Sequence, residues 1–264
     1  MSDRYAVIGN PVAHSKSPWI HAEFARAAGH DIEYSRIEAP LDAFAQAVER
    51  FRAAGGKGAN VTVPFKQQAF ALCNRVSARA RLAKAANTLV FADSFGDNTD
   101  GVGLVRDISW NLGLPLKGKR LLLLGAGGAA QGVVGALLEA GVAQLAVANR
   151  TVSKAQALAA RFPGASACGY DALRGQSFDL VINATSAGLT GDAPSLPDGL
   201  LNPQTLAYDM VYGRDTPFLA AARKAGARAA DGLGMLVEQA AESFFVWRGV
   251  RPETRPVLAK LRGP

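Results

Sequence analysis

The sequence predicts an α/β protein of two domains, and three observations predict it. Residues 121–154 read as strand, glycine turn, helix, strand and basic loop, the opening of a doubly wound parallel sheet. Residues 5–92 alternate short apolar strands with amphipathic helices, an α/β unit of their own. Residues 235–248 then form a helix with Leu236, Ala240, Phe244 and Trp247 on one face, suited to return onto the first unit. The expected domains are 1–101, completed by 235–264, and 102–234.

Each element has a local reason. Residues 5–9 are a first strand ending in a glycine. Ser17-Pro18 opens a helix that runs to about Ala28, with proline in its first turn and Gly29 as its stop. Residues 32–37 are a strand. Residues 41–54 place Leu41, Phe44, Ala45, Val48 and Phe51 at helical spacing before Gly55-Gly56. Residues 58–63 form the next strand, whose ladder Pro64 cannot continue. Helices are expected over 66–73 and 77–85, a strand over 88–92, and a turn at Phe95-Gly96-Asp97-Asn98. Gly101-Val102-Gly103 begins a helix toward the second domain, entered at Lys117-Gly118-Lys119. Strands follow at 120–124, 145–148, 180–183 and 206–210, with a late strand or turn at Arg228.

Composition excludes several classes. The 264 residues are 49% hydrophobic and 19% charged, an ordinary soluble globular balance. A net charge of +7 raises the question of nucleic acid, but Lys and Arg are scattered, without a basic run or aromatic interleaving. Anionic small molecules are the simpler explanation. Cys73 and Cys168 match no metal or redox spacing, and two isolated thiols point to a reducing compartment. His14, His21 and His30 do not form a metal-binding pair on one helix face, so no metal is expected. No signal pattern opens the chain and no apolar run spans a bilayer, so the expected location is cytoplasmic.

The glycine turn carries the first functional signal. Gly125, Gly127 and Ala130 fit G-x-G-x-x-G/A, which lets the backbone approach a pyrophosphate at a helix N-terminus. Four leucines precede it, as a strand buried on both faces requires. The second strand ends near Ala148, where an NAD-binding unit places an acid for the ribose 2′-hydroxyl. This chain places Asn149 and Arg150 there. An acid would repel a 2′-phosphate and a guanidinium can pair with it bidentately, so the expected cofactor is NADP.

Further polar residues gather at the ends of the first-domain strands. Ser15 and Ser17, one residue apart at a helix start, can hold a carboxylate or simply cap the helix. Asn60 and Thr62 flank Val61 and share a strand face. Lys66 opposes the dipole of the helix it begins, so helix stability does not explain it; it reads as a solvated lysine or, with the polar face of Asn60 and Thr62 just before it, as a site residue. Asp100 can cap its own helix or meet Lys66. A Lys–carboxylate pair beside a nicotinamide would relay the proton that hydride transfer to a carbonyl needs. Tyr212 and Gln239 stand in apolar surroundings and read equally as satisfied core groups or ligand contacts.

Taken together, GNPVAHSKSP, NVTVPFK, ANTL, NTDGVG, GAGGAA, NRTVSK, NATSAG, DMVYGRDTPFL and GLGMLVEQAAESFFVWRG resemble the shikimate dehydrogenase family, in order and across almost the whole chain. Members are NADP-dependent enzymes of aromatic amino-acid biosynthesis that reduce 3-dehydroshikimate to shikimate. The resemblance implies a substrate domain completed by the C-terminal helices, a Rossmann-like NADP domain, and a cleft between them. It implies that Ser15 and Ser17, helped by Tyr212, bind the substrate carboxylate. Thr62, Asn87 and Gln239 would bind hydroxyls or the carboxylate edge, with Asn60 nearby, and Lys66 and Asp100 would be the catalytic pair. It assigns Gly125, Ala126, Gly127, Gly128 and Ala129, the loop Asn149, Arg150, Thr151 and Lys154, and Met210 and Gly232 to NADP. One departure is visible: Ala78 stands where many relatives have Glu, so that contact is missing. Ala86 in ANTL replaces a common valine, a packing change.

The competing readings are an NAD-using quinate/shikimate dehydrogenase, which Arg150-Thr151 argues against, and a regulatory protein that only senses the nucleotide. The second would not need both Lys66 and Asp100. The expected partners are shikimate or 3-dehydroshikimate, with no nucleic acid and no membrane, in a monomer or homodimer.

Overall fold

Runs of buried apolar residues build two six-stranded sheets, each in its own part of the chain. The computed structural model describes residues 2–185 and 194–263. Contacts divide the chain into Met1–Gly103 with Leu236–Pro264 and, separately, Leu104–Met235.

In the first unit the strands are β1 (Asp3–Gly9), β2 (Ile32–Glu38), β3 (Gly56–Val61), β4 (Arg75–Val76), β5 (Thr88–Val90) and β6 (Phe95–Asp97), in the order β2-β1-β3-β5-β6-β4. β1 is parallel to both β2 and β3, whereas β5 is antiparallel to β3 and β6. Helix α1 (Ser17–Ala28) ends at Gly29, whose φ of 69° lets its N–H turn back to the Ala25 and Arg26 carbonyls. Helices α2 (Phe44–Ala53), α3 (Lys66–Ala71) and α4 (Ala78–Ala83) follow. Ile8, Phe44, Phe51, Val61, Phe65 and Leu89 form the core under α2 and α3.

Helix α5 (Asp100–Arg106) continues into a π-helical turn, Asp107–Asn111. The second unit then lays down β7 (Arg120–Leu124), α6 (Gly128–Glu139), β8 (Gln144–Ala148), α7 (Val152–Ala159), β9 (Ala165–Cys168), β10 (Leu180–Asn183), β11 (Leu206–Asp209), α8 (Pro217–Lys224) and β12 (Arg228–Asp231). All five pairings in the order β12-β11-β10-β7-β8-β9 are parallel. Leu121 and Leu123 pack into one core and Leu122 and Leu124 into another, all with no exposure, so β7 is buried on both faces. The strand order reverses at β7, and an open α/β sheet binds its ligand at such a switch point. The chain closes with α9 (Leu233–Arg248) and α10 (Arg255–Arg262). Among the described residues no helix is long and apolar enough to cross a membrane.

Four details differ from the sequence reading. Leu41 lies outside α2 and is 65% exposed, because Pro40 to Ala43 form a turn closed by a 3.1 Å Ala43 N–H to Pro40 carbonyl bond. Phe95-Gly96-Asp97 is strand β6 rather than a turn; the reversal lies just before it, where Ser94 takes a φ of 49°. The strand expected over 58–63 is β3, shifted to start at Gly56 and to end before Thr62. The short strands β4 and β9 carry no periodic signal and were not expected. Part of NATSAG, residues 186–188, lies outside the described residues.

One core residue has a pH consequence. His21 is fully buried, stacked on Tyr34 at 4.4 Å between ring centroids and flanked by Phe24, Phe244 and Trp247. Neither ring nitrogen meets a partner in hydrogen-bonding geometry. Burial lowers its pKa to about 3, and the neighbouring Asn60 side chain offsets this only in part. The unfolded chain protonates His21 near pH ~6.5. Between that pH and about 3 the unfolded state therefore holds a proton the native state refuses, and stability falls as pH falls. Thermal unfolding from pH 7 to pH 4 is expected to show a smaller drop in Tm for His21→Phe than for the unaltered chain. Parallel Tm–pH curves would show that His21 is not the source.

Candidate active site

The polar ends of β1, β3, β5 and β6 converge in the first unit. Ser15 and Ser17 are both buried after β1. The Ser15 hydroxyl donates to Ser17 Oγ at 3.2 Å and accepts the Ser17 N–H at 3.3 Å. The N-cap position of α1 is Lys16, and no side chain caps that helix. Arg36 fixes the loop, donating to the Ser15 carbonyl through Nε at 3.0 Å and Nη2 at 2.6 Å. The two hydroxyls thus sit side by side on an anchored loop.

Lys66 begins α3, and Asp100 begins α5. Lys66 Nζ lies 2.5 Å from Asp100 Oδ2, with the carboxylate side chain 6% exposed. The other oxygen, Oδ1, accepts the Asn87 amide at 2.9 Å. Asn87 is the centre of the site: its Nδ2 is shared among Asp100, Thr99 Oγ1 at 2.9 Å and Gln239 Oε1 at 3.3 Å. Its Oδ1 accepts the Thr99 N–H at 2.9 Å and the Thr88 hydroxyl at 2.9 Å. Gln239, on α9, ties its own Nε2 to the Leu236 carbonyl at 2.9 Å.

Asn60 is tied into the same network. It is buried, accepts the Tyr34 hydroxyl at 2.7 Å, and donates to the Asn87 carbonyl at 3.1 Å and Ser243 Oγ at 2.9 Å. Its amide is committed to the protein beneath Asn87. Thr62 follows the end of β3, half-buried, with its N–H on the Ile8 carbonyl at 2.9 Å. Ser243 and Thr99 complete the network at 3.2 Å. Neither was singled out in the sequence; Ser243 lies one helical turn beyond Gln239, the only signal for it.

Asp97 and Arg79 brace the loop that carries Asp100. Asp97 is buried and accepts the Ser77 hydroxyl at 2.5 Å, the Asn98 N–H at 2.7 Å, and the Arg79 fork at 2.8 and 2.5 Å. Arg79 also reaches Glu242 on α9 at 3.1 Å, and Arg251 meets the other Glu242 oxygen. Ala78 occupies the first position of α4, beside this fork.

The second unit gathers the expected cofactor residues at the C-terminal ends of its strands. Gly125 follows β7 with a φ of 103°, a conformation that favours glycine, and its N–H bonds the Ala148 carbonyl at 2.8 Å. Gly127 is the N-cap of α6 with no side-chain cap, and nothing lies within 4 Å of where a Cβ would be at Gly127 or Gly128. Free N–H groups and open space fit a pyrophosphate. After β8, Asn149 bonds the Thr151 carbonyl at 2.9 Å, and Arg150, Thr151 and Lys154 are exposed. Two cations and no acid fit a 2′-phosphate. Burial raises the Tyr170 phenol pKa, and the charge of the Arg150 guanidinium opposes it.

Met210 follows β11, and a Cβ on Gly232 would overlap its carbonyl, so only glycine permits that approach. Asp209 holds this end of the sheet, accepting Asn183 at 3.1 Å, Thr216 at 2.6 Å and the Val211 N–H at 3.0 Å. Tyr212 is half-buried in the same segment, which belongs to the second unit.

Comparison with known proteins follows this division. Residues 7–89 match the shikimate dehydrogenase substrate binding domain, 110–190 the shikimate / quinate 5-dehydrogenase family, and 232–262 the shikimate 5'-dehydrogenase C-terminal domain. A shikimate dehydrogenase (NADP(+)) of Aromatoleum aromaticum is 61% identical, over 98% of this chain and 97% of the relative. The crystal structure of an Ael1 enzyme from Pseudomonas putida superimposes with a TM-score of 0.94 at 54% identity, covering 100% of this chain and 99% of that one. Shikimate 5-dehydrogenase from Thermus thermophilus, solved in complex with NADP(H) and shikimate, gives 0.88 at 37% identity, with 98% of each chain covered.

The Arg79 brace is open to a direct test. Removing the guanidinium leaves Asp97 and Glu242, both nearly buried, without their shared cation. The Arg79 side chain is 32% exposed, so Arg79→Ala is expected to cost about 2 kcal/mol, below the ~3–5 for a fully buried pair. Arg79→Lys keeps the charge without the fork and is expected to fall between. Urea unfolding measures both; an unchanged midpoint in Arg79→Ala would show that the brace adds no stability.

Proposed function

The chain belongs to the shikimate dehydrogenase family, and from that premise we propose that it interconverts 3-dehydroshikimate and shikimate with NADP(H). The observation that carries this reading is the 2.5 Å Lys66–Asp100 pair, held in place by Asn87 at the ends of the first-unit strands.

Residues up to Gly103, with those from Leu236 onward, form the substrate-binding part, and Leu104–Met235 the NADP-binding part. Ser15 and Ser17 receive the substrate carboxylate, with Tyr212 assisting, and Thr62, Asn87 and Gln239 orient the ring hydroxyls. Asn60 supports them through its bonds to Asn87 and Ser243. The backbone of Gly125, Ala126, Gly127, Gly128 and Ala129 receives the pyrophosphate. Asn149, Arg150, Thr151 and Lys154 receive the 2′-phosphate and adenosine, and Met210 and Gly232 the nicotinamide end.

NADPH, when bound, supplies the hydride that reduces the substrate carbonyl carbon. The Lys66–Asp100 pair supplies the proton that the carbonyl oxygen then requires, and in the oxidative direction takes it back from the hydroxyl. Asn87 holds Asp100 Oδ1, which leaves Oδ2 to Lys66 and gives the pair one orientation. The enzyme acts in the cytoplasm, as a monomer or homodimer, on small molecules rather than on nucleic acid.

Two substitutions test the assignment. Lys66→Ala is expected to lower turnover of shikimate by about 10²–10⁴-fold with NADPH binding intact. Near-normal turnover would return Lys66 to the role of a solvated lysine. Arg150→Ala removes a charge-assisted bond to phosphate and is expected to raise the NADP KM roughly ten- to a hundred-fold with little effect on NAD. Initial rates with both cofactors decide this, and equal weakening of the two would contradict it.

A further inference from the structure

The second unit buries a carboxylate that the chemistry above does not use. Asp107 follows α5 and is wholly inaccessible. It accepts the Tyr208 hydroxyl at 2.7 Å through Oδ2 and the Asn111 amide at 3.0 Å through Oδ1. Tyr208 is itself fully buried within β11, and burial together with the Asp107 charge holds its phenol protonated. The carboxylate also lies directly against the first turn of α9: a Cβ on Gly234 would overlap it. Such a turn presents backbone N–H groups and the positive end of the helix dipole, which suits an anion.

A buried carboxylate forfeits its hydration, and apolar side chains filling the same volume would not. What it adds is direction, because both of its oxygens are tied. One anchor, Tyr208, is two residues before Met210; the other, Gly234, is two residues after Gly232. Between the anchors the Met210 carbonyl touches Gly232, and the Gly232 N–H donates to the Val211 carbonyl at 3.1 Å. The Met210 N–H is fixed on the Asn183 carbonyl at 3.0 Å. The β11–β12 ladder ends at the Asp209–Asp231 pair, and just beyond it the Asp107 contacts hold the two segments from one side.

We propose that Asp107 is a positioning residue for hydride transfer: through Tyr208 and Gly234 it holds Met210 and Gly232 in place just beyond the end of the β11–β12 ladder. This rests on the assignment of those two positions to the nicotinamide end of NADP. Asp107 touches neither cofactor nor substrate in this role. Its effect falls on the alignment of the transferred hydride rather than on the grip on the phosphates, which Arg150 and the α6 terminus provide. Misplacement of a reacting group by about 1 Å costs up to ~10²-fold in rate.

The test uses the full chain and two variants, Asp107→Asn and Tyr208→Phe. Tyr208→Phe removes only one hydroxyl and serves where Asp107→Asn does not fold. Each is assayed for kcat, for the KM of NADPH and of 3-dehydroshikimate, and for the isotope effect on kcat with NADPH deuterated at the transferring position. The expected result is a kcat lowered about 10- to 100-fold, both KM values within a few-fold of the unaltered chain, and a larger isotope effect as hydride transfer becomes slower. A merely structural role would lower Tm and leave the isotope effect where it was. Folded variants with unchanged kcat and isotope effect would overturn the inference alone. An unaltered chain that fails to oxidise NADPH with 3-dehydroshikimate would overturn the functional reading, and this inference with it.

Discussion

The site depends on one side chain that has no spare capacity. Asn87 has two N–H hydrogens and one carbonyl oxygen, and all of them are engaged by Thr88, Thr99, Asp100 and Gln239. These partners come from β5, from the loop after β6 with the start of α5, and from α9. The amide therefore fixes where three parts of the chain meet. Buried polar groups without partners are costly, so such a network is either complete or strongly unfavourable. Completion here leaves Asp100 with one oxygen bound to Asn87 and one facing Lys66. The same bonds that satisfy the buried amide also give the Lys66–Asp100 pair its one orientation.

The second unit solves its positioning problem differently, with backbone rather than side chains. Gly125 turns the chain off β7 in a conformation that favours glycine, and Gly232 lets the Met210 carbonyl approach within contact. The anion seat proposed at Gly127 and Gly128 is the uncapped N-terminus of α6 with open space around it, not a cluster of cations. The cations, Arg150 and Lys154, stand apart on the next loop. On the proposed assignment, recognition of the pyrophosphate and of the 2′-phosphate is divided between these two elements, and a change at Arg150 would leave the glycine turn undisturbed.

Much of this was legible from residues alone where local chemistry was strong. The four leucines and glycines of 121–128 set β7 and the start of α6, and the Ser17-Pro18 and Gly29 signals bounded α1. Weak local signals failed. Arg75-Val76 is too short for any period to show, and Phe95-Gly96-Asp97 has the composition of a turn although pairing with β5 makes it a strand. Asn60 shows the limit of spacing arguments. Alternation puts it on one strand face with Thr62 but does not reveal that its amide bonds Asn87 and Ser243, residue 243 being far along the chain. Arg79, Asp97, Glu242, Asp107 and Tyr208 were invisible for the same reason. Each matters through a partner distant in sequence, and a single sequence does not display such pairings.

The central claim is that Lys66 and Asp100 act as one proton-transferring unit held by Asn87. It is tested most directly by single-turnover reduction of NADP with saturating shikimate, comparing Lys66→Ala, Asp100→Asn and the two combined. The account predicts that the combined variant is no slower, within a few-fold, than the slower of the two single variants, because either change already disables the unit. Losses that multiply would mean that the two residues act independently, and would contradict it.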